Sequence, residues 1–418
     1  MSDAIRPQVV IVGAGFGGLA AADALARAPA SVTIIDRHNH HCFQPLLYQV
    51  ATAALASPDI AWPVRAILRR QENARVIMAE VTGVDVDARR VRTQTLSIPY
   101  DYLVLATGAT HSYFGHDEWA PYAPGLKTVD DALEIRRRIL LAFERAELSG
   151  DEHERRRLLT FVIVGGGPTG VEMAGAIAEV ARQTLKSDFR RIDPQTARIV
   201  LVEAGPRILS GFPERLSRYA ERTLTQMGVE VRTATMVTGC GPKGVSLADG
   251  SIESETIIWA AGVRASPAAR WIGTDTDKAG RIKVNADLSV PGHPEIFAIG
   301  DTAVPADPGT PPIPGIAPAA KQMGRYVGQV IAARVAGQKE PGPFIYRHYL
   351  DLATIGRKSA VVRRGKLQLT GFLAWLFWGV AHIYFLIGVR NRFLVATNWL
   401  WDYITFQRGA RVITERGA

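Results

Sequence analysis

Residues 9–18 of this chain read VVIVGAGFGG, and residues 161–170 read FVIVGGGPTG. Both stretches contain a β-branched run, then a glycine-rich turn, then the start of an alanine-rich segment. This order predicts a strand, a tight turn whose bare backbone admits a pyrophosphate, and a helix whose N-terminus faces the anion. One such motif is a weak signal, because an ordinary tight turn has the same letters. Two in one chain predict two dinucleotide sites and a flavoprotein that takes electrons from a nicotinamide.

An acidic residue ends the strand that follows each motif. Residues 32–36 read VTIID and end in Asp36, and residues 199–203 read IVLVE and end in Glu203. A carboxylate at this place accepts hydrogen bonds from a ribose 2′-hydroxyl and repels a 2′-phosphate, so Glu203 favours NADH over NADPH. Arg207 lies close by and would soften this preference. A solvated strand end is the alternative interpretation of Glu203.

Length and composition agree with a folded protein of two or three domains. The chain has 418 residues, of which 47% are hydrophobic and 21% are charged. Cys42 and Cys240 are the only cysteines, which argues against a disulfide framework or a zinc cluster. The first glycine motif begins within fifteen residues of Met1. We therefore expect no secretory signal and a cytosolic compartment.

Positive charge and tryptophan are concentrated at the end of the chain. From Pro341 onward, eleven Lys and Arg residues stand against three acidic residues, so this segment carries +8 of the chain's net charge of +9. The same segment holds four of the eight tryptophans, namely Trp375, Trp378, Trp399 and Trp401. Basic residues mixed with aromatic residues at the edges of apolar stretches are typical of a surface that meets anionic lipid headgroups.

The segment 371–389 is a 19-residue apolar stretch that is interrupted only by His382. Its length is compatible with a membrane span. A shorter second stretch at 393–406 includes Asp402 and follows a basic joint at 390–392. This pairing favours helices that lie in the membrane interface, with a transmembrane helix and a buried core or dimer-contact helix as alternatives. The hydrophobicity argues against nucleic acid as the partner of the basic tail.

Several further strand-and-turn patterns surround the two motifs. Residues 101–108 read DYLVLATG, residues 256–262 read TIIWAAG, and residues 296–301 read IFAIGD. The Pro- and Gly-rich segment 305–318 predicts a loop that leads to a helix beginning near Ala319. The wide spacing between the second glycine motif and Glu203 predicts a long helix from about residue 171 to residue 189.

The whole order resembles the two-dinucleotide-binding flavoproteins and, among them, the type II NADH dehydrogenases, which are single-chain NADH:quinone oxidoreductases. The family-specific parts are HHCFQPLLYQVAT at 40–52, Val171-Glu172 after the second motif, and Ala320-Lys321-Gln322 at a helix start. The aromatic and basic C-terminus is similar to the membrane anchor of that family. Family members often have Gln at the position of Pro318, so the shape of the quinone pocket is the point at which this chain departs.

The resemblance implies that the first motif holds FAD, that the second holds NADH, and that a late Gly-Asp holds the ribityl–phosphate region of the flavin. The residues expected to bind these cofactors are Gly13, Gly15, Phe16, Gly17, Gly18, Asp36, Arg37, Thr107, Gly108, Gly165, Gly167, Pro168, Thr169, Gly170, Glu203, Gly262, Gly300 and Asp301.

The resemblance also implies three catalytic residues. Glu172 would act beside the flavin–nicotinamide contact, shaping the site or relaying protons to the quinone, although a carboxylate is also comfortable at a helix N-terminus for electrostatic reasons alone. Gln322 would donate a hydrogen bond to a quinone carbonyl. Lys321 is either an electrostatic aid or a solvated helix charge. The N-terminus of its helix would favour negative charge on the pyrimidine edge of the flavin.

The cluster His38-Asn39-His40-His41-Cys42 raises a metal hypothesis. A closed metal site needs four convergent ligands with supporting hydrogen bonds, whereas these side chains follow one another along one short loop. We therefore expect a loop of the flavin pocket and no metal. Sulfide:quinone reductases depend on redox cysteines, and the two distant cysteines here make that alternative weak.

The sequence thus predicts an α/β protein with two Rossmann-like dinucleotide-binding domains and a C-terminal helical membrane-docking region. The expected domains are residues 1–120 and 281–340 for FAD, 121–280 for NADH, and 341–418 for docking. The expected function is non-proton-pumping transfer of electrons from NADH through FAD to ubiquinone or menaquinone, at the cytoplasmic face of the inner membrane, by a peripheral protein that forms a homodimer. The alternatives are a soluble NADH-dependent ferredoxin or rubredoxin reductase, and a flavin-bound NADH sensor resembling apoptosis-inducing factors.

Overall fold

The structure is a computed structural model that describes residues 6–307, 309, 313–405 and 408–413. Four positions of the predicted 305–318 loop (308 and 310–312) and Phe406, at the end of the second apolar stretch, lie outside these residues. The chain forms two compact units. The first comprises the described residues of 1–42, 62–110 and 263–348, and the second those of 43–61, 111–262 and 349–418.

The first unit is built on a six-stranded sheet whose three central strands are apolar and largely buried, as in parallel sheets covered on both faces. In spatial order the strands are Ser289–Val290, His293–Ala298, Tyr102–Leu105, Gln8–Val12, Ser31–Asp36 and Ala74–Met78. Only the first pair is antiparallel; the rest run parallel. The central strand Gln8–Val12 therefore delivers the first glycine motif to the carboxyl edge of a parallel sheet, where α/β proteins bind ligands.

Two helices of the first unit pack closely across glycines. Helix Phe16–Ala24 follows the glycine motif, and helix Ala317–Val335 lies against it. A Cβ atom on Gly324 would lie 2.0 Å from the backbone oxygen of Gly17, so only glycine allows this approach. The smaller elements of the unit are helices Val64–Leu68 and Ala268–Ile272, the 3₁₀ turn Gly300–Thr302, the antiparallel strands Val81–Asp85, Arg90–Thr93 and Ser97–Pro99, and the parallel pair Ile282–Val284 and Ala303–Pro305.

The second unit repeats the arrangement on a smaller scale. Its four parallel strands are, in spatial order, Val229–Arg232, Arg198–Val202, Thr160–Val164 and Thr256–Trp259. The second glycine motif follows Thr160–Val164, which is buried along its whole length. Two antiparallel three-stranded sheets complete the strands of the unit: Val237–Gly241, Gly244–Leu247 and Gly250–Glu253, then Asp351–Thr354, Ala360–Arg364 and Leu367–Thr370.

The helices of the second unit include those of the C-terminal region. They are Leu47–Ala51, Ser57–Ile60, Val129–Leu148, Glu152–Leu158, Pro168–Glu179, Glu214–Gln226, Gly371–Phe385 and Val389–Thr405. Short 3₁₀ turns occur at Gln44–Leu46, Asp117–Trp119 and Pro194–Thr196. Four short strands occur where the chain passes from one unit to the other: His40–Cys42, Ala61–Pro63, Ala109–His111 and Val263–Ala265.

The structure differs from the sequence prediction at several places. The helix expected over residues 171–189 begins earlier, because Pro168 suits a first turn, and it continues past Glu179 only as a π-helical turn, Val180–Thr184. Residues 43–61 belong to the second unit, since helix Leu47–Ala51 packs on Val129–Leu148. The predicted docking domain 341–418 does not form a separate domain: residues 341–348 belong to the first unit, and the described residues of 349–418 belong to the second. Residues 263–280, predicted in the NADH domain, also belong to the first unit.

The apolar stretch at 371–389 is divided into two helices. The first helix ends at Phe385, Leu386 is extended, and Gly388 has a φ of +85° that favours glycine. Among the described residues, no helix combines the length and the hydropathy needed to cross a bilayer.

We predict that Gly324→Ala destabilises the first unit. The added methyl group would collide with the Gly17 carbonyl and force the two helices apart, which typically costs about 1–3 kcal/mol. Gly83→Ala is the matched control, because a Cβ atom there would meet nothing within 4 Å. Thermal unfolding should show a lower midpoint for Gly324→Ala only. Equal midpoints for the two variants would disprove the proposed packing constraint.

Candidate cofactor sites and acceptor cavity

The first glycine loop, residues 13–18, has one face against the protein and one open face. Gly13 has a φ of +105°, and a Cβ atom there would lie 2.3 Å from the oxygen of Ala106. A Cβ atom on Gly15 would meet nothing within 4 Å, and Gly15 caps helix Phe16–Ala24. The loop therefore presents bare backbone at a helix N-terminus, which is the environment that a pyrophosphate requires.

Asp36 is tied to this loop through both carboxylate oxygens. Oδ2 accepts a hydrogen bond from the Ala14 amide at 2.6 Å, and Oδ1 accepts one from the His38 amide at 2.8 Å. The neighbouring Arg37 is exposed. The predicted ribose-binding carboxylate therefore lies directly beside the predicted pyrophosphate loop, and its remaining lone pairs can accept from a hydroxyl.

His41 is a residue of this site whose role was not assigned from the sequence. Its Nδ1 lies 3.0 Å from the Ala14 oxygen, and its ring makes an edge contact with Phe16 at 4.8 Å between centroids. Burial lowers the pKa of His41 to about 4, so the ring is neutral and Nδ1 carries the proton. Nε2 is buried and has no hydrogen-bond partner among the described residues. This buried acceptor nitrogen can therefore accept a hydrogen bond from a hydroxyl group of a bound cofactor.

The turns after the other strands of the first unit meet at one place. Thr107 Oγ1 lies 2.5 Å from Ser266 Oγ and 3.2 Å from Thr302 Oγ1. Gly108 and Gly300 both have φ +67°. Predicted cofactor residues from two separate segments are thus brought together at the carboxyl edge of the sheet. Asp301 lies in the 3₁₀ turn that begins at Gly300.

The second glycine loop, residues 165–170, has the same construction. Gly165 has a φ of +108°, and a Cβ atom there would lie 2.8 Å from the carbonyl carbon of Ala260. A Cβ atom on Gly167 would meet nothing within 4 Å, and Gly167 caps the helix that starts at Pro168. Thr169 and Gly170 lie in the first turn of that helix.

Glu203 holds the second loop as Asp36 holds the first. Its Oε2 accepts from the Gly166 amide at 2.6 Å, and its Oε1 accepts from the Gly205 amide at 2.6 Å. Arg207, which would soften a preference for NADH, donates its guanidinium hydrogens to the backbone oxygens of Phe212 and Ser210. These bonds direct the Arg207 guanidinium to the backbone of its own turn. Gly262, in the turn after Trp259, has a φ of +68°.

Lys321 and Gln322 lie in the second turn of helix Ala317–Val335, in the first unit. The ammonium of Lys321 lies 5.3 Å from the centroid of the Phe16 ring, next to the first glycine loop. Both ends of the Gln322 amide pair with the backbone of Arg347: Nε2 donates to its oxygen at 2.9 Å, and Oε1 accepts from its amide at 3.0 Å. A quinone would have to displace these bonds to use the Gln322 amide.

The second unit contains a cavity of about 440 Å³. Its walls come from helices Leu47–Ala51 and Pro168–Glu179, from the turn at 355–359, and from the C-terminal region. Trp375, Trp378 and Trp399 form an aromatic side of the cavity, and Glu172 and Glu179 supply two carboxyl groups. These carboxyl groups are seven residues apart on one helix, so they share a face. That spacing was the available sequence signal for Glu179, which the sequence analysis did not consider.

The two carboxyl groups have different partners. Among the described residues, Glu172 accepts only a long bond, 3.4 Å from the Thr354 amide, and burial raises its pKa to about 8. Burial also raises the pKa of Glu179, but Arg408 opposes this effect with a charged bond from Nη2 to Oε2 at 2.9 Å. Arg408 also donates to the Thr52 oxygen at 2.8 Å. Glu172 is therefore the carboxyl of the cavity that holds a proton at neutral pH.

Comparison with known proteins identifies the family. The sequence profile of the pyridine nucleotide-disulphide oxidoreductases matches residues 7–324. The chain is 46% identical to the type II NADH:quinone oxidoreductase NdhA of Mycobacterium tuberculosis over 428 aligned positions, which cover 98% of this chain and 90% of that protein. It is 43% identical to Ndh of the same organism, with 99% and 91% covered. The chain belongs to the type II NADH:quinone oxidoreductases.

A solved structure agrees on the fold. NDH2 from Plasmodium falciparum, determined in complex with NADH, superimposes with a TM-score of 0.89 at 21% identity, and the match covers 98% of this chain and all of that one. The predictions of the α/β dinucleotide-binding fold and of an NADH:quinone oxidoreductase are confirmed. FAD and NADH are its cofactors, as predicted. The open face at Gly15 and the unpartnered Nε2 of His41 fit a bound dinucleotide in the first unit.

We predict that Glu172→Gln stabilises the protein in a pH-dependent way. The folded pKa of about 8 lies above the usual value for Glu, so the folded state keeps a proton that the unfolded state has lost. The free energy of unfolding of the parent should therefore fall as the pH rises from about 4.5 to 8, by at most about 1.4 kcal/mol per pH unit.

The variant lacks this titration, because its amide is neutral at every pH. Thermal unfolding should give similar midpoints near pH 4.5 and a higher midpoint for the variant at pH 8. Glu144→Gln, at an exposed position of helix Val129–Leu148, should follow the parent throughout. A constant difference across the pH range would show that Glu172 is not protonated in the folded state.

Proposed function

We propose that this chain oxidises NADH bound at the second glycine loop and reduces a membrane quinone that occupies the cavity of the second unit, with FAD bound at the first glycine loop. The observation that carries the proposal is that one cavity combines a wall of tryptophan side chains with the carboxyl group of Glu172, whose pKa is raised by burial. A lipid-soluble acceptor needs an apolar site, and an acceptor that takes up protons needs an acid. A ferredoxin-type partner, which is a folded protein, would need neither.

The proton balance defines the role proposed for Glu172. NADH delivers two electrons and one proton equivalent, while a quinone becomes a quinol by taking two electrons and two protons. The overall reaction, NADH + H⁺ + quinone → NAD⁺ + quinol, therefore consumes one further proton. Glu172 lines the cavity and has a pKa of about 8, so it can give up a proton at neutral pH and regain it from solvent.

The other roles follow from the two glycine loops. FAD, when bound, would supply the chemistry of hydride acceptance from NADH and electron transfer to the quinone. Gly13, Gly15, Gly17 and Gly18 are proposed to hold its pyrophosphate, Asp36 its adenosine ribose, and Thr107, Gly108, Gly300 and Asp301 its flavin side. Phe16, Arg37 and Lys321 would flank this nucleotide, and Lys321 would add positive charge near it. For NADH, the corresponding residues are Gly165, Gly167, Pro168, Thr169, Gly170, Glu203 and Gly262. Gln322 stays a sequence-based prediction as a quinone ligand, which the cavity does not support, because Gln322 is not among its lining residues and its amide is paired with the Arg347 backbone.

The proposed location is the cytoplasmic face of the inner membrane, to which the C-terminal helices would attach peripherally. On helix Gly371–Phe385, the side chains of Leu373, Leu376 and Val380 are 69%, 50% and 60% exposed. Their spacing puts them on one face of the helix. This face, with the excess of basic residues in the same segment, suits the boundary between headgroups and acyl chains. The homodimer stays a prediction.

The proposal is tested by rapid mixing of the purified flavoprotein with NADH and then with ubiquinone or menaquinone analogues. Bleaching of the flavin by NADH, followed by its recovery with quinone and formation of quinol, is the expected result. If NADH bleaches the flavin but no quinone restores its colour, the proposed acceptor is wrong.

We predict that NADH exceeds NADPH in kcat/KM by about 10-fold or more, or roughly 1.4 kcal/mol, because Glu203 would repel a 2′-phosphate. Glu203→Gln should narrow this ratio. The ratio is the informative measurement, since the substitution also weakens the bonds to Gly166 and Gly205. Glu230→Gln, on the neighbouring strand, should leave the ratio unchanged. Equal efficiency with both nucleotides in the parent protein would refute the assignment.

We predict that replacing Leu373, Leu376 and Val380 together by Gln releases the protein from lipid. Each side chain is expected to contribute on the order of 1–2 kcal/mol when buried in the membrane boundary. The control is Leu148→Gln, because Leu148 is also an exposed leucine, at 77%, on another helix of the same unit.

Sedimentation with anionic liposomes at low salt measures the binding. The parent and the control should pellet with the vesicles, while the triple variant should stay in the supernatant. This test is cleaner than deletion of the tail after Leu367, because a deletion also removes Trp375, Trp378, Trp399 and Arg408 from the cavity wall. Equal pelleting of all three proteins would place the docking surface elsewhere.

A further inference from the structure

A directed chain of hydrogen bonds runs from the C-terminal helix Val389–Thr405 to the cavity. The indole Nε1 of Trp399 lies 2.7 Å from Oε1 of Gln49, and Nε2 of Gln49 lies 2.9 Å from the hydroxyl oxygen of Tyr48. An indole nitrogen can only donate, so the Gln49 oxygen must face it, and the Gln49 amide nitrogen must face Tyr48. This pattern therefore fixes the orientation of the Gln49 amide and the direction of both hydrogen bonds.

This direction leaves one proton without an acceptor. The Tyr48 oxygen accepts from Gln49, so the hydroxyl hydrogen of Tyr48 remains to be donated. No acceptor for it lies within hydrogen-bond distance among the residues that the structure describes. Tyr48 is buried and lines the cavity together with Glu172. A buried hydroxyl normally uses its proton, so the acceptor is expected inside the cavity.

The charge state of Tyr48 supports this direction. Burial, with a further contribution from the charge of Glu172, holds the pKa of Tyr48 well above its usual value of about 10. The hydroxyl is therefore a donor at every pH at which the enzyme works. The neighbouring rings of Trp378 and Trp399, whose centroids lie 5.1 Å apart, offer a flat apolar surface. Such a surface can stack on a ligand, but it does not fix the ligand's orientation as a hydrogen bond does.

We infer that Tyr48 donates a hydrogen bond to a carbonyl oxygen of the quinone, and that Gln49 and Trp399 are positioning residues that aim this hydroxyl into the cavity. The inference rests on the proposed function and makes it more specific. A quinone has a flat ring that can stack on the tryptophan wall. It also has carbonyl oxygens that need a hydrogen-bond donor, and the tryptophan wall does not offer one. Tyr48 thus orients the acceptor, while Glu172 supplies the proton that the reaction consumes.

The first test is Tyr48→Phe in the intact flavoprotein. Loss of one such hydrogen bond should raise KM for a short-chain quinone by about 5- to 10-fold. Reduction of the flavin by NADH and steady-state turnover with ferricyanide, an acceptor that has no carbonyl group, are the reference measurements, and the loss with quinone should exceed any change in either. Flavin absorbance and the thermal unfolding midpoint verify that the variant is folded.

The second test separates the hydrogen bond from the bulk of the ring. Trp399→Phe removes the first donor of the chain and leaves Tyr48 in place, so KM for quinone should rise in the same direction but less. Trp378→Phe removes the same indole bulk from the same wall, and its buried Nε1 makes no hydrogen bond among the described residues. The change in KM caused by Trp378→Phe therefore measures the loss of indole bulk alone. It is subtracted from the change caused by Trp399→Phe.

The double variant Tyr48→Phe/Trp399→Phe decides whether Trp399 acts through Tyr48. If it does, KM should be no higher than in Tyr48→Phe after the bulk effect is subtracted, because the hydroxyl that Trp399 positions is already absent. Additive effects would show that Trp399 contacts the quinone independently and would overturn its positioning role.

The outcomes distinguish this inference from the proposed function. If the parent protein reduces quinones and Tyr48→Phe has the same KM, the inference fails while the proposed function stands. If the parent is reduced by NADH but no quinone reoxidises it, the proposed function fails, and the inference fails with it. An equal loss with quinone and with ferricyanide would also contradict the inference, since it would show a general defect of the variant.

Discussion

The two cofactor sites depend on one type of interaction, a hydrogen bond from a glycine-loop amide to the carboxylate that ends the next strand. Asp36 accepts from Ala14 and Glu203 from Gly166, each at 2.6 Å. In both cases the donor is the residue after the first glycine of the loop, and a charged acceptor makes the bond stronger than one between neutral groups. The bond fixes the loop to the sheet edge, and each carboxylate oxygen keeps a further lone pair that can accept from a ribose hydroxyl.

The same arrangement occurs on two sheets of different size, which shows how local the requirement is. Each loop needs the same three features. They are a parallel pair of strands, a first glycine packed on the backbone that follows a third strand, and an acidic residue at the end of the second strand. The other strands of the two sheets differ in number and in the elements that flank them. The nucleotide sites are therefore properties of a short supersecondary unit, while the acceptor cavity is a property of the second unit as a whole, because its walls come from segments far apart in the chain.

This difference explains which features the sequence could predict. The strands at 9–12 and 161–164, the loops and their carboxylates were evident because β-branched runs and glycines act within a few residues of one another. The cavity was not evident, since the contact between Gln49 and Trp399 joins positions 350 residues apart. The break after Phe385 was missed because hydropathy continues through it, and only the backbone at Gly388 records the turn. The saturated amide of Gln322 was likewise invisible, because its partner is the backbone of Arg347.

The pair formed by Glu179 and Arg408 has a consequence for the order in which the protein is made. Helix Pro168–Glu179 carries a buried carboxyl whose charged partner follows 229 residues later. A ribosome therefore exposes the acid long before it produces the cation, and an unpaired charge resists burial. The second unit therefore cannot reach its final packing until Arg408 has been synthesised. The C-terminal segment, which completes this packing, also carries the exposed apolar face, so the face proposed to dock on lipid is synthesised at the same stage as the missing cation.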